Sequence, residues 1–227
     1  MVDTTRLESV EATVQGRYWV RDAAGAEEVP ALVGFHGYGE DAEALLREVN
    51  LIPGVTDWKL IAIQALHPFY KSRTGEVVAS WMTRLDRDAA IQHNVDYVTA
   101  VLERELGSSD PTRSTPLVFV GFSQGTAMAY RAAAGTGRKC HGVMALGGDV
   151  PPELRETGLS DLPVALLGRG SRDEWYSEEK LELDIQALKS QGVDCRPVRF
   201  DGGHQWTDGF RSMAGRFLGG LRPDSAD

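Results

Sequence analysis

Apolar and polar positions along the chain are grouped in blocks that have the lengths of strands and helices. Six predominantly apolar runs have strand length, and they span residues 31–35, 60–65, 117–120, 143–146, 164–167 and 195–200. Runs of this kind are typical of strands that are buried on both faces of a sheet. We therefore expect a central sheet that is covered on both sides.

Helical periodicity fills most of the intervals between these runs. Apolar residues recur on one helical face at Ile91, Val95, Val98, Leu102 and Leu106, and again at Leu181, Ile185 and Leu188. A further helix is predicted over residues 126–134, where small residues allow close packing. Strands that alternate with helices predict an α/β fold with a mostly parallel central sheet and helices on both faces.

The amino-terminal segment has a different pattern. Residues 10–15 and 17–21 are short β-type runs, and they predict an antiparallel hairpin that feeds the sheet. No internal repeat and no Pro-, Ser- or charge-rich linker divides the rest of the chain. The prediction is a single domain over residues 1–227.

Charge and composition exclude several classes of partner. The net charge of −9 argues against nucleic acid or an anionic membrane surface, since both require a basic face. No segment is apolar enough for a signal peptide or a membrane span, so no stable membrane insertion and a cytoplasmic location are expected. Cys140 and Cys195 are far apart and lack metal-ligand spacing, which favours free thiols over a disulfide.

Residues with reactive or polar side chains follow the predicted strands. In an open parallel sheet, the active crevice lies beyond the carboxyl ends of the strands. The segments at this rim are 36–39, 67–84, Ser123, 148–149, 169–173 and 202–204. The rim is therefore the predicted site.

Ser123 lies in the segment VFVGFSQGTAMAY, between a buried strand and a helix of small residues. Gly121 and Gly125 on either side leave room for strand and helix to approach each other. A serine on such a turn projects its hydroxyl group from a strained backbone, as in a nucleophile elbow. Since GxSxG by itself is a weak pattern, the strand-then-helix setting carries the prediction.

A serine nucleophile needs a base, and His204 is the candidate because it follows the last strand in a glycine-rich turn. His36 also follows a strand, but it belongs to the segment GFHGYG, for which a different role is predicted below. Asp173 is favoured as the group that orients the base, because the order Ser, Asp, His is usual in this class of sheet. Asp149 is the alternative acid.

A tetrahedral oxyanion needs preorganised donors. One is expected to be the backbone N–H of Gln124, which directly follows the serine, and the second should come from the loop after an earlier strand. The segment Gly37-Tyr38-Gly39 occupies that place, with Tyr38 N–H as the preferred donor. A tight turn that merely links strand and helix is the alternative.

The chain resembles the α/β-hydrolase superfamily and, within it, the phospholipase/carboxylesterase family, which includes acyl-protein thioesterases and small bacterial carboxylesterases. The resemblance runs from about Val29 to Leu218 through the ordered segments FHGYGED, SWMTR, GFSQG, GRGSRDEWY and GGHQW. It implies an α/β-hydrolase fold without a cofactor or metal. It also implies the residue roles Ser123 nucleophile, Asp173 acid, His204 base, and Tyr38 and Gln124 oxyanion donors.

Three departures from the family pattern concern the substrate pocket. Tyr38 stands where leucine is common, Arg169-Gly170 stands where an HG pair is common, and the family's Trp-Phe-Asp segment is Trp81-Met82-Thr83. The long segment from Gln64 to Leu85 is the predicted wall of the acyl pocket. The candidate pocket residues are Trp81, Met82, Tyr70, Trp175 and Trp206.

The predicted function is hydrolysis of small carboxylic esters or thioesters with short to medium acyl groups through an acyl-serine intermediate. The connection from Gly148 to Pro163 is too short for a large lid domain, so the site should be open. Alternatives are a catalytically inactive binding module with the same fold, a narrow lysophospholipase or acyl-protein thioesterase, and peptide cleavage or a lyase step. The oligomeric state has no signature in the sequence.

Overall fold

A computed structural model describes residues 5–10, 12–24, 29–108 and 115–221. The strands are β1 (Tyr18–Arg21), β2 (Ala31–Phe35), β3 (Lys59–Ile63), β4 (His67–Tyr70), β5 (Val77–Ser80), β6 (Leu117–Phe122), β7 (Gly142–Leu146), β8 (Val164–Gly170) and β9 (Asp194–Phe200). The helices are α1 (Ala42–Asn50), α2 (Arg87–Leu106), α3 (Gln124–Gly135), α4 (Glu178–Ser190) and α5 (Asp208–Gly219).

Seven of the strands form one sheet in the order β1-β3-β2-β6-β7-β8-β9. All neighbours are parallel except β1 and β3, which are antiparallel. Each of the six predicted strands is present, with both ends within three residues of the predicted ones. The predicted α/β class with a mostly parallel sheet is confirmed, and the carboxyl ends of β2, β6, β7, β8 and β9 meet at one rim.

Alternate residues of the strands enter two separate apolar cores. Val33 and Ile61 belong to the core that includes residues of α2, α3 and α4, whereas Leu32 and Leu60 belong to the core that includes residues of α1 and α5. Because successive side chains of a strand point to opposite faces, strands that are apolar at every position must be covered by helices on both faces of the sheet. The continuous apolar runs of the sequence have this cause.

The predicted amino-terminal hairpin is wrong. Residues 12–17 are irregular, and β1 pairs instead with β3, with Tyr18 opposite Ile63. The edge of a larger sheet offers β1 a ready set of backbone partners, and nothing local to the sequence reveals this distant pairing. The segment 64–85 likewise contains an antiparallel pair, β4 and β5, in place of an unstructured loop.

Helix α3 lies very close to the end of β2, and Gly125 permits this contact. A Cβ atom on Gly125 would lie 2.0 Å from the carbonyl oxygen of Phe35 and 2.7 Å from that of His36. Any side chain here would have to displace backbone that borders the serine turn. The close approach therefore depends on glycine at this position.

Gly125→Ala should destabilise the protein by roughly 3 kcal/mol or more, because overpacking against backbone cannot be relieved by a rotamer change. The matched control is Gly219→Ala, since Gly219 is also helical and a Cβ atom there meets nothing within 4 Å. The control should leave stability unchanged or raise it by up to about 1 kcal/mol. Urea unfolding followed by circular dichroism measures both, and equal small effects would contradict the packing argument.

Candidate active site

Ser123 occupies the sharp turn between β6 and α3. Its backbone has φ 53° and ψ −120°, a conformation that residues other than glycine rarely adopt. Its backbone N–H donates to the carbonyl oxygen of Leu146 at 2.8 Å, which ties the turn to the end of β7. The strained turn predicted from the GxSxG pattern is present in the structure.

A hydrogen-bonded chain joins Ser123, His204 and Asp173. His204 Nε2 lies 2.8 Å from Ser123 Oγ, and His204 Nδ1 lies 2.8 Å from Asp173 Oδ2. The histidine side chain is 22% exposed, whereas that of Asp173 is 1% exposed. The three residues come from the ends of β6, β8 and β9, so the parallel sheet brings together positions that are distant in the chain.

Asp173 is held so that one oxygen faces the imidazole. Its Oδ1 accepts hydrogen bonds from the backbone N–H groups of Trp175 and Tyr176, both at 2.9 Å. This leaves Oδ2 for His204, whose Nδ1–H donates to it. The alternative acid, Asp149, instead has its Oδ2 3.5 Å from Lys180 Nζ.

The backbone N–H groups of Tyr38 and Gln124 make no hydrogen bond within the part of the chain that the structure describes. The loop that carries Tyr38 is held on both sides of it: Gly37 N donates to Glu40 Oε2 at 2.9 Å and Gly39 N donates to the carbonyl oxygen of Ala79 at 3.0 Å. A rigid loop with one free donor matches the requirements of an oxyanion hole.

The side chain of Gln124 fastens the segment that follows β5. Its Oε1 accepts from Trp81 N at 2.9 Å, and its Nε2 donates to the carbonyl oxygen of Met82 at 3.1 Å. The side-chain amide of Gln124 therefore holds residues 81 and 82 beside the cavity, while its backbone N–H makes no hydrogen bond among the described residues.

The four other histidines lie outside the hydrogen-bonded chain. His36 is fully buried; its Nε2 accepts from Ala65 N at 3.1 Å, so Nδ1 carries the proton and donates to the carbonyl oxygen of Gly37. Burial lowers the pKa of His36, which keeps it neutral. His67 on β4 and His93 on α2 are exposed, and His141 accepts from Leu117 N at the opposite edge of the sheet.

A cavity of about 360 Å³ opens beside Ser123 and His204. Of the predicted pocket residues, Met82 and Trp175 line it, and Trp175 is 75% exposed at its edge. The segment that follows β7 forms another wall, through residues 147–152 and Arg155. The segment between β7 and β8, which the structure describes in full, has one short 3-10 turn at Pro152–Leu154 and contains no lid domain.

Trp81, Tyr70 and Trp206 do not line this cavity, in contrast to the prediction. Trp81 is fully buried because its ring packs edge-on against Phe35 and its indole N–H donates to the carbonyl oxygen of His36 at 2.8 Å. Tyr70 is 75% exposed on β4. Trp206 packs edge-on against Phe210, on the other side of the sheet from α3.

Arg131 is 5% exposed and lines the cavity, although none of the sequence motifs indicates it. Its spacing was a usable signal, because Gln124, Ala127 and Arg131 recur three and four residues apart on α3. Residues at such spacing share one helical face, so Arg131 must lie on the face that begins beside the serine.

Asp184 on α4 connects the loops on two sides of the cavity. Its side chain is fully buried, and its Oδ2 accepts from Val150 N and from the hydroxyl group of Tyr176, both at 3.0 Å. Since Tyr176 N binds Asp173, Asp184 supports the acid of the hydrogen-bonded chain through one intermediate residue. Burial raises the pKa of Asp184 from 3.8 to about 6.

Asp184→Asn should gain stability relative to the wild type as the pH rises from about 4.5 to about 7.5, by roughly 1 to 2 kcal/mol. The folded carboxyl group keeps its proton to a higher pH than the unfolded one, so wild-type stability falls across the window from 3.8 to about 6. The variant lacks this titration and retains an oxygen acceptor. Urea unfolding at both pH values measures the free energy of unfolding of wild type and variant. The control is Asp161→Asn, which changes an exposed carboxylate. A difference between Asp184→Asn and the wild type that is the same at both pH values would contradict the prediction.

Within residues 5–10, 12–24, 29–108 and 115–221, no group of three or more His, Cys, Asp or Glu side chains is arranged to hold a metal ion. Among the same residues, no helix has the length and apolarity needed to cross a membrane. Cys140 and Cys195 are both free thiols, as the sequence predicted.

The sheet topology and the serine turn define an α/β-hydrolase-like protein. A family model described as Phospholipase/Carboxylesterase matches residues 22–206, so the chain belongs to that family, as the resemblance of the motifs predicted. A search of curated proteins found no match.

Solved structures share this fold at low sequence identity. The Bacillus cereus carboxylesterase is similar with a TM-score of 0.72 and 16% identity, covering 91% of this chain and 95% of that one. Esterase PE8 has a TM-score of 0.69 and 22% identity, covering 92% and 100%. Zea mays acyl-protein thioesterase 2 has a TM-score of 0.67 and 19% identity, covering 91% and 99%. At such identities, the similarity establishes the fold.

Proposed function

We propose that this protein hydrolyses small carboxylic esters or thioesters, with short to medium acyl groups, through an acyl-serine intermediate. The observation that carries the proposal is the hydrogen-bonded chain Ser123–His204–Asp173, with both joining distances 2.8 Å, at the mouth of the cavity. Membership of the phospholipase/carboxylesterase family supports the same reaction class.

In the acylation step, Ser123 Oγ attacks the substrate carbonyl carbon while His204 Nε2 takes the hydroxyl proton. Asp173 stabilises the imidazolium and holds its ring in place. The N–H groups of Tyr38 and Gln124 donate to the oxyanion that forms. The bond from carbon to the leaving oxygen or sulfur then breaks, and the leaving group takes the proton from His204.

In the deacylation step, His204 removes a proton from water, and the resulting hydroxide adds to the acyl-serine carbonyl. The same two N–H groups bind the second oxyanion. When the bond to Ser123 breaks, Oγ recovers the proton from His204, and the carboxylic acid leaves. Water is the only co-reactant, and the protein's own side chains perform every proton transfer.

We also propose that the protein acts as a single domain on small-molecule esters in the cytoplasm. The net charge of −9 supports a function that does not involve nucleic acid.

Two experiments test the proposed reaction. The wild type should hydrolyse a series of p-nitrophenyl esters, with a length profile that ends where the acyl chain outgrows the cavity. A fluorophosphonate should add covalently to the peptide that contains Ser123, as peptide mass spectrometry would show. If all esters and thioesters stay intact and the serine stays unlabelled, a binding module becomes the better interpretation.

A further inference from the structure

Basic side chains outnumber acidic ones in the lining of the cavity beside Ser123. The whole chain carries a net charge of −9, yet Arg131, Arg155 and Lys180 line the cavity and Asp149 is the carboxylate among the lining residues. Lys180 Nζ lies 3.5 Å from Asp149 Oδ2 and balances its charge. Arg155 Nη2 likewise lies 3.5 Å from Asp184 Oδ1, so the pairing of Arg131 decides which polar group the cavity can accept.

Arg131 shares its carboxylate partner with a second arginine. Its Nε and Nη2 contact Glu153 Oε1 at 2.7 and 2.6 Å. The other oxygen of Glu153 is bound by Arg87 Nη2 at 2.7 Å. Arg87 also lies 3.5 Å from Asp88 Oδ1, so among the described residues Arg131 shares Glu153 and has no carboxylate of its own.

One arm of Arg131 lacks a strong acceptor. Among the described residues, its Nη1 contacts the Sδ atom of Met82 at 3.6 Å, and a thioether is a weak acceptor. Arg131 is only 5% exposed, so water supplies little compensation. A buried N–H group without a good partner is costly, and an anion in the cavity would remove that cost.

Helix α3 begins directly after Ser123 and carries Arg131 into the lining of the same cavity. At 1.5 Å per residue, about 11 Å of helix axis separates Gln124 from Arg131. Helical side chains tilt toward the amino end of their helix, which here is the end that adjoins Ser123. The small side chain of Ala127, between them on the same face, leaves the space for a substrate.

We propose that Arg131 forms an anion subsite, and that the preferred substrate is an ester or thioester whose acyl or alcohol part carries a carboxylate. This inference rests on the proposed serine hydrolase function and specifies its substrate class. The weakly paired Nη1 arm suits a single carboxylate, to which it offers a charge-assisted hydrogen bond. A purely alkyl substrate would instead cover Nη1 without pairing it.

The test compares kcat/KM of the wild type for mono-p-nitrophenyl glutarate and for p-nitrophenyl hexanoate, in which a methyl group occupies the place of a carboxylate oxygen. The spontaneous rate, which the neighbouring carboxylate raises through anhydride formation, is subtracted. A second arm compares nitrophenyl hexanoates with and without a carboxylate on the ring. In one of these two comparisons, we expect kcat/KM to be about 10- to 100-fold higher for the charged ester than for the neutral one. A single charge-assisted hydrogen bond accounts for a factor of this size.

Variants connect this preference to Arg131. Arg131→Met should abolish the preference, and Arg131→Lys should retain part of it. The matched control is Arg87→Met, because Arg87 binds the same Glu153 but does not line the cavity; it should retain the full preference. If Arg131→Met fails to fold, the double variant Arg131→Met/Glu153→Gln removes both charges together and takes its place.

The outcomes separate this inference from the function on which it rests. Equal kcat/KM for charged and neutral esters in both arms, with turnover that depends on Ser123, would overturn the anion subsite and leave the hydrolase standing. A preference that survives undiminished in Arg131→Met, or in the double variant that takes its place, would overturn the role of Arg131. Failure of the wild type on every ester, charged or neutral, would overturn the proposed function itself.

Discussion

Ser123→Ala should lower kcat/KM for an activated ester by roughly 10⁴-fold or more, because the variant has no oxygen to form the acyl intermediate. The residual activity should come from the oxyanion donors and from substrate binding. Hydrolysis of p-nitrophenyl butyrate measures the loss. The fluorophosphonate label should disappear in parallel, since both reactions require the same oxygen.

The fold should tolerate this substitution. The Ser123 hydroxyl group has His204 Nε2 as its hydrogen-bond partner at 2.8 Å, and alanine keeps the same backbone strain. Ser123→Gly should be somewhat more stable than Ser123→Ala, because the positive φ of 53° favours glycine. The control is Ser171→Ala, which removes an exposed serine from the loop before Asp173. If Ser123→Ala retained a large share of the activity while Ser171→Ala lost it, the nucleophile would be misidentified.

Asp173→Asn should lower kcat/KM by about 10³- to 10⁴-fold while the protein remains folded. The amide oxygen would keep the two backbone N–H groups of Trp175 and Tyr176 that now bind Oδ1. The amide NH₂ would then face His204 Nδ1 and force the imidazole proton onto Nε2. In that tautomer, Nε2 can no longer accept the proton of Ser123, so acylation should slow with little change in substrate binding.

The asparagine experiment has a matched control in the same region. Asp201 is close to His204 in sequence but is exposed and paired with Arg172, so Asp201→Asn should change kcat/KM by no more than a few-fold. A steep loss in kcat with a small change in KM for Asp173→Asn is the expected signature. If Asp149→Asn lost activity and Asp173→Asn did not, Asp149 would be the acid.

Much of the architecture could be predicted because its causes are local. Continuous apolar runs at β2, β6 and β7 follow from burial on both faces, and the helical spacing of Ile91, Val95 and Val98 on α2 follows from one packed face. The serine turn has a signature of the same local kind, since a strand, a glycine-flanked serine and a helix are consecutive in the chain. The order Ser123, Asp173, His204 then restricts which residues can meet at one rim of a parallel sheet.

The residues that line the cavity could not be predicted from such local patterns. The sequence pattern predicts that Trp81 lines the pocket, whereas in the structure Trp81 is buried against Phe35 and Arg131 lines the cavity. A tryptophan beside a motif looks the same in sequence whether it faces a cavity or a core. The choice depends on which distant element packs against it, and no short-range pattern encodes that contact.

The sequence by itself determined the α/β class, the family, the strand-turn-helix around Ser123 and the residues available for a Ser-His-Asp chain, because periodicity and chain order encode these features. Only the tertiary structure decided that β1 pairs with β3, that Asp173 faces His204 while Asp149 faces Lys180, and that Arg131 points into the cavity with one arm weakly paired. Each of these features joins residues from separate elements, and their relative positions arise from packing of the whole sheet and its helices.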